Sequence, residues 1–192
     1  RDDLVRILLG ESGEEERNPH VISLVGMGGI GKTALAQLGF NHGQVKAHFD
    51  TRIWVCVSEP FDQCRVAKAI VEALGVHDSN TTELQSLLDT ICELIRGKKI
   101  FLIFDDVWTE DSQKWEPFKL ALKNDVYGSR ILVTTRKQRA AEVMGSVLTI
   151  NLKVLSDEDC WSIFSKIAFS NEKQLKYLED LGRKLAIKCK GL

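Results

Sequence analysis

Gly26-Met27-Gly28-Gly29-Ile30-Gly31-Lys32-Thr33 decides how the rest of the sequence is read. The stretch fits G-x-x-x-x-G-K-[ST], a loop that cradles the phosphates of a nucleoside triphosphate. The apolar run Val21-Ile22-Ser23-Leu24-Val25 precedes it and Ala34-Leu35-Ala36-Gln37-Leu38 follows, so the loop lies between an expected strand and an expected helix. Glycines let successive backbone N–H groups turn toward an anion with no Cβ in the way. The helix then opens with free N–H groups and the positive end of its dipole. Lys32 adds a full charge near the β- and γ-phosphates, and the Thr33 hydroxyl is placed to ligate Mg²⁺.

Working outward, the pattern alternates strands and helices. Strands are expected at Val21–Val25, Arg52–Ser58, Ile100–Phe104, Arg130–Thr134 and Val147–Ile150. The third is continuously apolar, as a strand buried on both faces of a parallel sheet must be. Val66, Ala69, Ile70, Ala73 and Leu74 recur with helical spacing, as do Leu84, Leu87, Leu88, Ile91 and Ile95 after a capping pair at Thr82 and Gln85. Trp115, Phe118 and Leu122 mark a shorter helix, and Leu4–Leu9 reads as helical or extended. Glu11 to Pro19 reads as an acidic loop, and Gly39 and Gly43 are expected to weaken the end of the helix after the phosphate loop. After Leu155 only helices are expected, one capped by Ser156 and Asp159, another carrying Leu175, Leu178, Leu181 and Leu185 with a Glu179–Arg183 pair. The fold class is therefore α/β: a P-loop NTPase-type parallel sheet of about five strands with flanking helices, then the start of a helical subdomain. The expected division is a linker over 1–20, a nucleotide-binding domain over 21–152 and a truncated helical subdomain over 153–192.

Composition narrows the class. The 192 residues carry 26 basic and 27 acidic side chains, which gives no sign of a nucleic-acid partner. No apolar run reaches the roughly 20 residues of a membrane span, and no signal peptide opens the chain. Arg1 rather than Met stands first, so further residues are expected upstream. Cys56, Cys64, Cys92, Cys160 and Cys189 are scattered and never in C-x-x-C spacing, against both a zinc site and a disulfide framework. Cys56, Cys92 and Cys160 sit in apolar patterns and are expected as buried, reduced thiols, which implies a cytoplasmic setting. His20, His42, His48 and His77 have no metal spacing and read as surface or packing residues.

Asp105-Asp106 closes the third strand. Carboxylates at the C-terminal end of a buried strand are costly unless they hold a cation or accept hydrogen bonds, and open α/β sheets bind ligands at that end. Asp105 is the candidate Mg²⁺ ligand with Thr33, directly or through water; Asp106 is the candidate to orient or deprotonate the attacking water. Arg136, after Thr134-Thr135 at the end of the fourth strand, is the candidate reader of a γ-phosphate, and the two threonines are expected to hydrogen-bond near it. Gly26, Met27, Gly28, Gly29, Ile30, Gly31, Lys32, Thr33 and Ala34 complete the expected phosphate contacts. Asp105-Asp106-Val107-Trp108 lacks the D-x-x-G of GTPases, no N-K-x-D reader of guanine occurs, and no L-S-G-G-Q of transporter ATPases is present. ADP or ATP is favoured over GTP.

Trp54-Val55-Cys56-Val57-Ser58, Leu102-Ile103-Phe104-Asp105-Asp106-Val107-Trp108, Gly128-Ser129-Arg130-Ile131-Leu132-Val133-Thr134-Thr135-Arg136, Leu155-Ser156-Asp157-Glu158-Asp159-Cys160-Trp161 and Gly191-Leu192 follow the phosphate loop in that order. The set resembles the nucleotide-binding (NB-ARC) domain of plant intracellular immune receptors with leucine-rich repeats, and Trp108 is similar to their coiled-coil class. The resemblance implies a switch: ADP holds a closed form, exchange for ATP permits oligomerisation and defence signalling, and slow hydrolysis resets it. It implies coiled-coil and leucine-rich-repeat partners elsewhere in the same polypeptide and a homo-oligomer when ATP is bound. It assigns Mg²⁺ and phosphate roles to Lys32, Thr33 and Asp105, and γ-phosphate sensing to Arg136. Ala34 departs from the family, which carries a second hydroxyl there. The family's closing G-L-P-L is represented only by Gly191-Leu192, and its upstream G-R-E-like segment and methionine-histidine-aspartate motif are absent. The competing readings are a dedicated ATPase or kinase with fast turnover, and a scaffold that has lost nucleotide binding.

Overall fold

The computed structural model describes residues 2–10, 19–57, 59–77, 83–123, 126–168 and 172–191. The loop expected over 11–18, the strand end at Ser58, the capping hydroxyl of Thr82, the side chain of Leu175 and the closing Leu192 lie outside the described residues. The chain divides into two compact units, Arg1–Gly26 with Lys32–Asn151 and Met27–Gly31 with Leu152–Leu192.

The first unit is built on five parallel strands: β1 (His20–Val25), β2 (Thr51–Cys56), β3 (Ile100–Val107), β4 (Arg130–Thr135) and β5 (Leu148–Asn151). Their order across the sheet is β2-β3-β4-β1-β5. β4 is thus inserted between β1 and β3, paired in register with each, for example His20 with Arg130 and Phe101 with Arg130. The period of two along each strand sorts its side chains into two layers. Leu102, Phe104, Ile131, Val133, Ile53 and Val55 face one core, while Phe101, Ile103, Leu132, Ile22 and Leu24 face the other. Each such fully buried side chain contributes about 1.5–3 kcal/mol, which is why Ile100–Phe104 of β3 and Ile131–Val133 of β4 read as unbroken apolar runs.

Helices α1 (Asp2–Leu9), α2 (Lys32–Asn41) and α3 (Gly43–His48) supply one core with Leu4, Leu8, Ala36 and Val45. The Leu4–Leu9 stretch is therefore helical, with Leu4, Val5 and Leu8 buried on one face. Gly39 does more than weaken α2. A Cβ there would lie 3.2 Å from Leu8 Cδ1 and 3.5 Å from Leu4 Cδ2, so its small size lets α1 pack closely against α2. The other core is covered by α4 (Gln63–Ala73), α5 (Leu84–Ile95), α6 (Ser112–Ala121) and α7 (Gln138–Val143). Asp62 caps α4 by accepting from Arg65 N at 2.8 Å. At α5 the N-cap is Glu83, without a side-chain bond, and Gln85 lies inside the helix, where its amide donates to Asp89 at 2.8 Å.

Every strand differs by a residue or more from the sequence reading: β1 begins at His20, β2 spans Thr51–Cys56, β3 runs on through Asp105-Asp106-Val107, β4 ends at Thr135 and β5 spans Leu148–Asn151. Of the cysteines expected to be buried, Cys160 is, Cys92 is half-buried, and Cys56 at the end of edge strand β2 is exposed. β2 has a neighbouring strand on one side only, and Cys56 as its last residue lies at the rim, where its side chain reaches solvent. No helix among the described residues is long and apolar enough to cross a membrane.

In the second unit, α8 (Asp157–Ala168) packs against α9 (Glu172–Lys188). Ser156 caps α8, accepting from Asp159 N at 3.1 Å and donating to Asp159 Oδ2 at 2.6 Å, with Asp157, Glu158 and Asp159 at the positive end of the dipole. Arg183 on α9 donates to Glu179 at 3.0 Å, reaches Glu158 on α8 at 3.3 Å and lies 4.9 Å above the Trp161 ring. The same unit contains the segment Met27–Gly31, whose Gly29 and Gly31 have φ of 83° and 95°, values that L side chains rarely adopt.

Candidate functional site

Parallel pairing puts the C-terminal ends of all the strands at one edge of the sheet, where β1 ends at Val25, β4 at Thr135 and β3 at Val107. Gly26, the first residue of the phosphate-loop motif, donates its N–H to Thr135 O at 3.2 Å and so ties the end of β1 to the end of β4. Lys32 opens α2 and donates from Nζ to Gly26 O at 2.8 Å. Its side chain is buried, and its ammonium pKa is lowered, first by burial and then by the charge of Arg136, with Asp106 and Asp105 pulling the other way. A buried ammonium among carbonyl and carboxylate oxygens is poised for an anion.

Asp105 is 7% exposed, and its Oδ1 accepts two hydroxyl bonds, from Thr33 at 2.9 Å and from Thr134 at 2.6 Å. Thr33 stands one residue into α2 and Thr134 one residue before the end of β4, so one carboxylate oxygen joins three elements. A threonine hydroxyl and an aspartate carboxylate side by side are hard oxygen donors. They suit Mg²⁺, which is usually held by one or two protein oxygens together with phosphates.

Asp106 sits on a β-bulge. Phe104 pairs with Val133 and Val107 with Thr135, three steps along β3 against two along β4. The extra residue is accommodated by the left-handed backbone of Asp106, φ 56°, which aspartate tolerates better than most side chains. Its N–H donates to Thr134 Oγ1 at 2.8 Å, so the Thr134 hydroxyl accepts from Asp106 while donating to Asp105. The Asp106 side chain stays half exposed, and Arg136 Nε approaches its Oδ1 at 3.9 Å. The Arg136 guanidinium carbon lies 4.6 Å from the centroid of the Trp108 ring.

The structure thus brings Gly26, Lys32, Thr33, Asp105, Asp106 and Arg136 to one edge of the first unit. Ala34 follows on α2 and is exposed, whereas Met27, Gly28, Gly29, Ile30 and Gly31 group with the second unit, where Ile30 N turns back on Met27 O at 3.4 Å. Sequence reasoning gave Thr134 and Thr135 only a vague role near phosphate. Thr134 orients both aspartates, and Thr135 Oγ1 donates to Val107 O at 2.6 Å and accepts from Lys137 N at 3.0 Å, closing the rim. The ion pair of Lys137 with Glu110 at 2.6 Å was also missed, since nothing in the spacing of the two residues announces it. An apolar cavity of about 330 Å³ lined by Val21, Ile131, Trp115 and Phe118 lies toward the starts of β1 and β4, away from this edge.

The chain is similar to known proteins in sequence and in fold. Over its whole length the chain is 38% identical to disease resistance protein RGA2 of Solanum bulbocastanum and 36% identical to a putative disease resistance RPP13-like protein 1 of Arabidopsis thaliana. It covers 20% and 18% of those two proteins, so it spans about a fifth of the length of the curated relatives it matches. A crystal structure of a signal transduction ATPase with numerous domains and a tetratricopeptide-repeat sensor, from Pyrococcus horikoshii, shares the fold. The TM-score is 0.55 at 19% identity, over 94% of this chain and 27% of that one. The model of the NB-ARC domain matches residues 2–174, and the chain belongs to that family.

Proposed function

We propose that this chain is the ADP- and ATP-binding switch module of a plant intracellular immune receptor, with at most slow Mg²⁺-dependent hydrolysis. The observation that carries the reading is the convergence of Lys32, Thr33, Asp105, Asp106 and Arg136 at the C-terminal edge of the sheet, with Asp105 tied to Thr33 at 2.9 Å. The nucleotide-binding domain spans 21–152, with α1 of the segment expected as a linker packed into its core through Leu4, Val5 and Leu8, and 153–192 is the beginning of the helical subdomain. The backbone of Gly26–Gly31 and of Ala34 surrounds the phosphates, and Lys32 supplies the charge. Thr33 and Asp105 hold Mg²⁺, which when bound neutralises phosphate charge. Asp106 orients or deprotonates the attacking water, and Arg136 reads the γ-phosphate. Free Cys56, Cys64, Cys92, Cys160 and Cys189 support a cytoplasmic location. The names of the relatives support the defence role, and their greater length supports further domains in the same polypeptide; the family resemblance implies that these are coiled-coil and leucine-rich-repeat domains and that ATP permits a homo-oligomer.

The test is to denature the purified protein and identify the released nucleotide by chromatography. Adenine nucleotide is expected from the wild type and none from Lys32→Ala, which removes a charge-assisted contact of about 1.5–3 kcal/mol. Guanine nucleotide, or equal ADP affinity in Lys32→Ala, overturns the reading. Unaided turnover above the usual enzyme median of about 10 per second would make the chain a dedicated ATPase instead.

A further inference from the structure

The bulge at Asp106 changes which residue of β3 faces the end of β4. Continued without it, the register Phe104 to Val133 would set Asp106 against Thr135 and Val107 against Arg136. With the extra residue, Val107 pairs with Thr135, so the residues that leave the two strand ends side by side are Trp108 and Arg136. The side chains follow the backbone: the Arg136 guanidinium carbon lies 4.6 Å from the Trp108 ring centroid, and Arg136 Nε lies 3.9 Å from Asp106 Oδ1. Arg136 is therefore held on two sides, by the face of an indole and by a carboxylate, and both holds must be given up before it reaches elsewhere. Indole is the strongest of the aromatic rings as a cation seat, and arginine is the cation that stacks best on it.

We infer that Trp108 is a positioning residue that holds Arg136 in reserve beside Asp106, so that a γ-phosphate must compete with the ring and the carboxylate for the guanidinium. This rests on the nucleotide-switch reading and deepens it. The seat lowers affinity for a triphosphate without touching a diphosphate, because only the triphosphate asks Arg136 to move. It also keeps Asp106 engaged with Arg136 until the γ-phosphate draws the guanidinium away, which frees the carboxylate for water. Discrimination between ADP and ATP is thereby set by a side chain that touches neither.

The test is calorimetric titration of the chain with ADP and with a non-hydrolysable ATP analogue, both with Mg²⁺, in wild type, Trp108→Ala, Trp108→Phe, Arg136→Ala and the Trp108→Ala/Arg136→Ala double variant. Loss of an exposed cation–π seat corresponds to about a two- to fivefold change in a binding constant. Trp108→Ala is expected to tighten the ATP analogue by about that factor with ADP unchanged. Trp108→Phe, which keeps an aromatic face, should lie between it and the wild type. In the Arg136→Ala background the Trp108 substitution should have no effect. Equal shifts for both nucleotides, no shift, weaker binding of the ATP analogue, or a shift that persists without Arg136 each overturn the inference while leaving the nucleotide site standing. Failure of the wild type to bind either nucleotide overturns the functional reading and the inference with it.

Discussion

The hydroxyl of Thr134 lies 2.6 Å from Asp105 Oδ1 and, on its other side, 2.8 Å from the backbone nitrogen of Asp106. One small side chain on β4 therefore sets the position of both aspartates on β3. Thr134 is fully buried, so no water replaces its hydroxyl if it is removed. Thr134→Val keeps the shape and leaves the Asp106 N–H without its acceptor. The expected loss is about 1–3 kcal/mol of stability, read from urea denaturation. A variant as stable as the wild type would mean that the bridge contributes nothing.

Asp106→Ala should separate binding from chemistry. The side chain is half exposed, and no nucleotide-holding role is assigned to it. ADP affinity is expected to change by less than about threefold, whereas single-turnover hydrolysis should slow by about a hundredfold or more, the lower end of the range for losing a general base. Unchanged hydrolysis removes Asp106 from the catalytic role.

His48 gives the fold a pH dependence of defined sign. Its pKa is lowered, first by burial, then by the charges of Lys99 and Arg130, and its Nε2 accepts from Lys99 Nζ at 2.7 Å, which requires the neutral ring. In the unfolded chain the imidazole titrates near its usual value of about 6.5. Above that pH both states are neutral and stability is at its full value; below it the unfolded state binds the proton first, and stability falls as pH drops toward the folded pKa. Melting temperature should decline as pH drops below about 6.5 in the wild type, and His48→Gln should flatten part of that decline. An identical slope in the variant would assign the dependence to other groups.

Gly182 is expected to be intolerant of a methyl group. A Cβ there would sit 2.7 Å from Trp161 Cζ3 and 3.1 Å from Cη2, and the indole is held between Phe164 and Arg183. Alanine ordinarily stabilises a helix interior by about 1 kcal/mol relative to glycine, but overpacking costs about 1–3 kcal/mol. Gly182→Ala should therefore destabilise the α8–α9 pair and alter the near-UV circular dichroism of Trp161. A stabilised variant would show that the ring moves aside freely.

Much of the fold could be read from period and punctuation. The strand before the phosphate loop, the apolar run of β3, the capping of α8 by Ser156 and Asp159, and the Glu179–Arg183 pair are all local patterns, and local patterns are what a linear sequence displays. What escaped reading depends on two distant segments at once. Gly39 looked like a helix defect until Leu8 of α1 was seen against it, and Cys56 looked buried because its apolar neighbours hide that β2 is an edge. The short helices α3 and α7 carry too few turns to show a period. The bulge at Asp106 has no signature beyond an aspartate that tolerates positive φ, yet it decides that Trp108, not Val107, meets Arg136. The roles of Thr134 and Thr135 likewise follow from strand order, which no residue announces alone.

That strand order restricts where movement can occur. β1, which leads into the phosphate loop, and β3, which bears the aspartates, share no ladder; each is bonded to β4. For one to slide past the other, at least one ladder of β4 would have to shear, stripping hydrogen bonds between two apolar layers. The sheet accordingly acts as a chassis, and freedom to move is left to side chains carried on its rim: the arginine after β4 and the indole after β3.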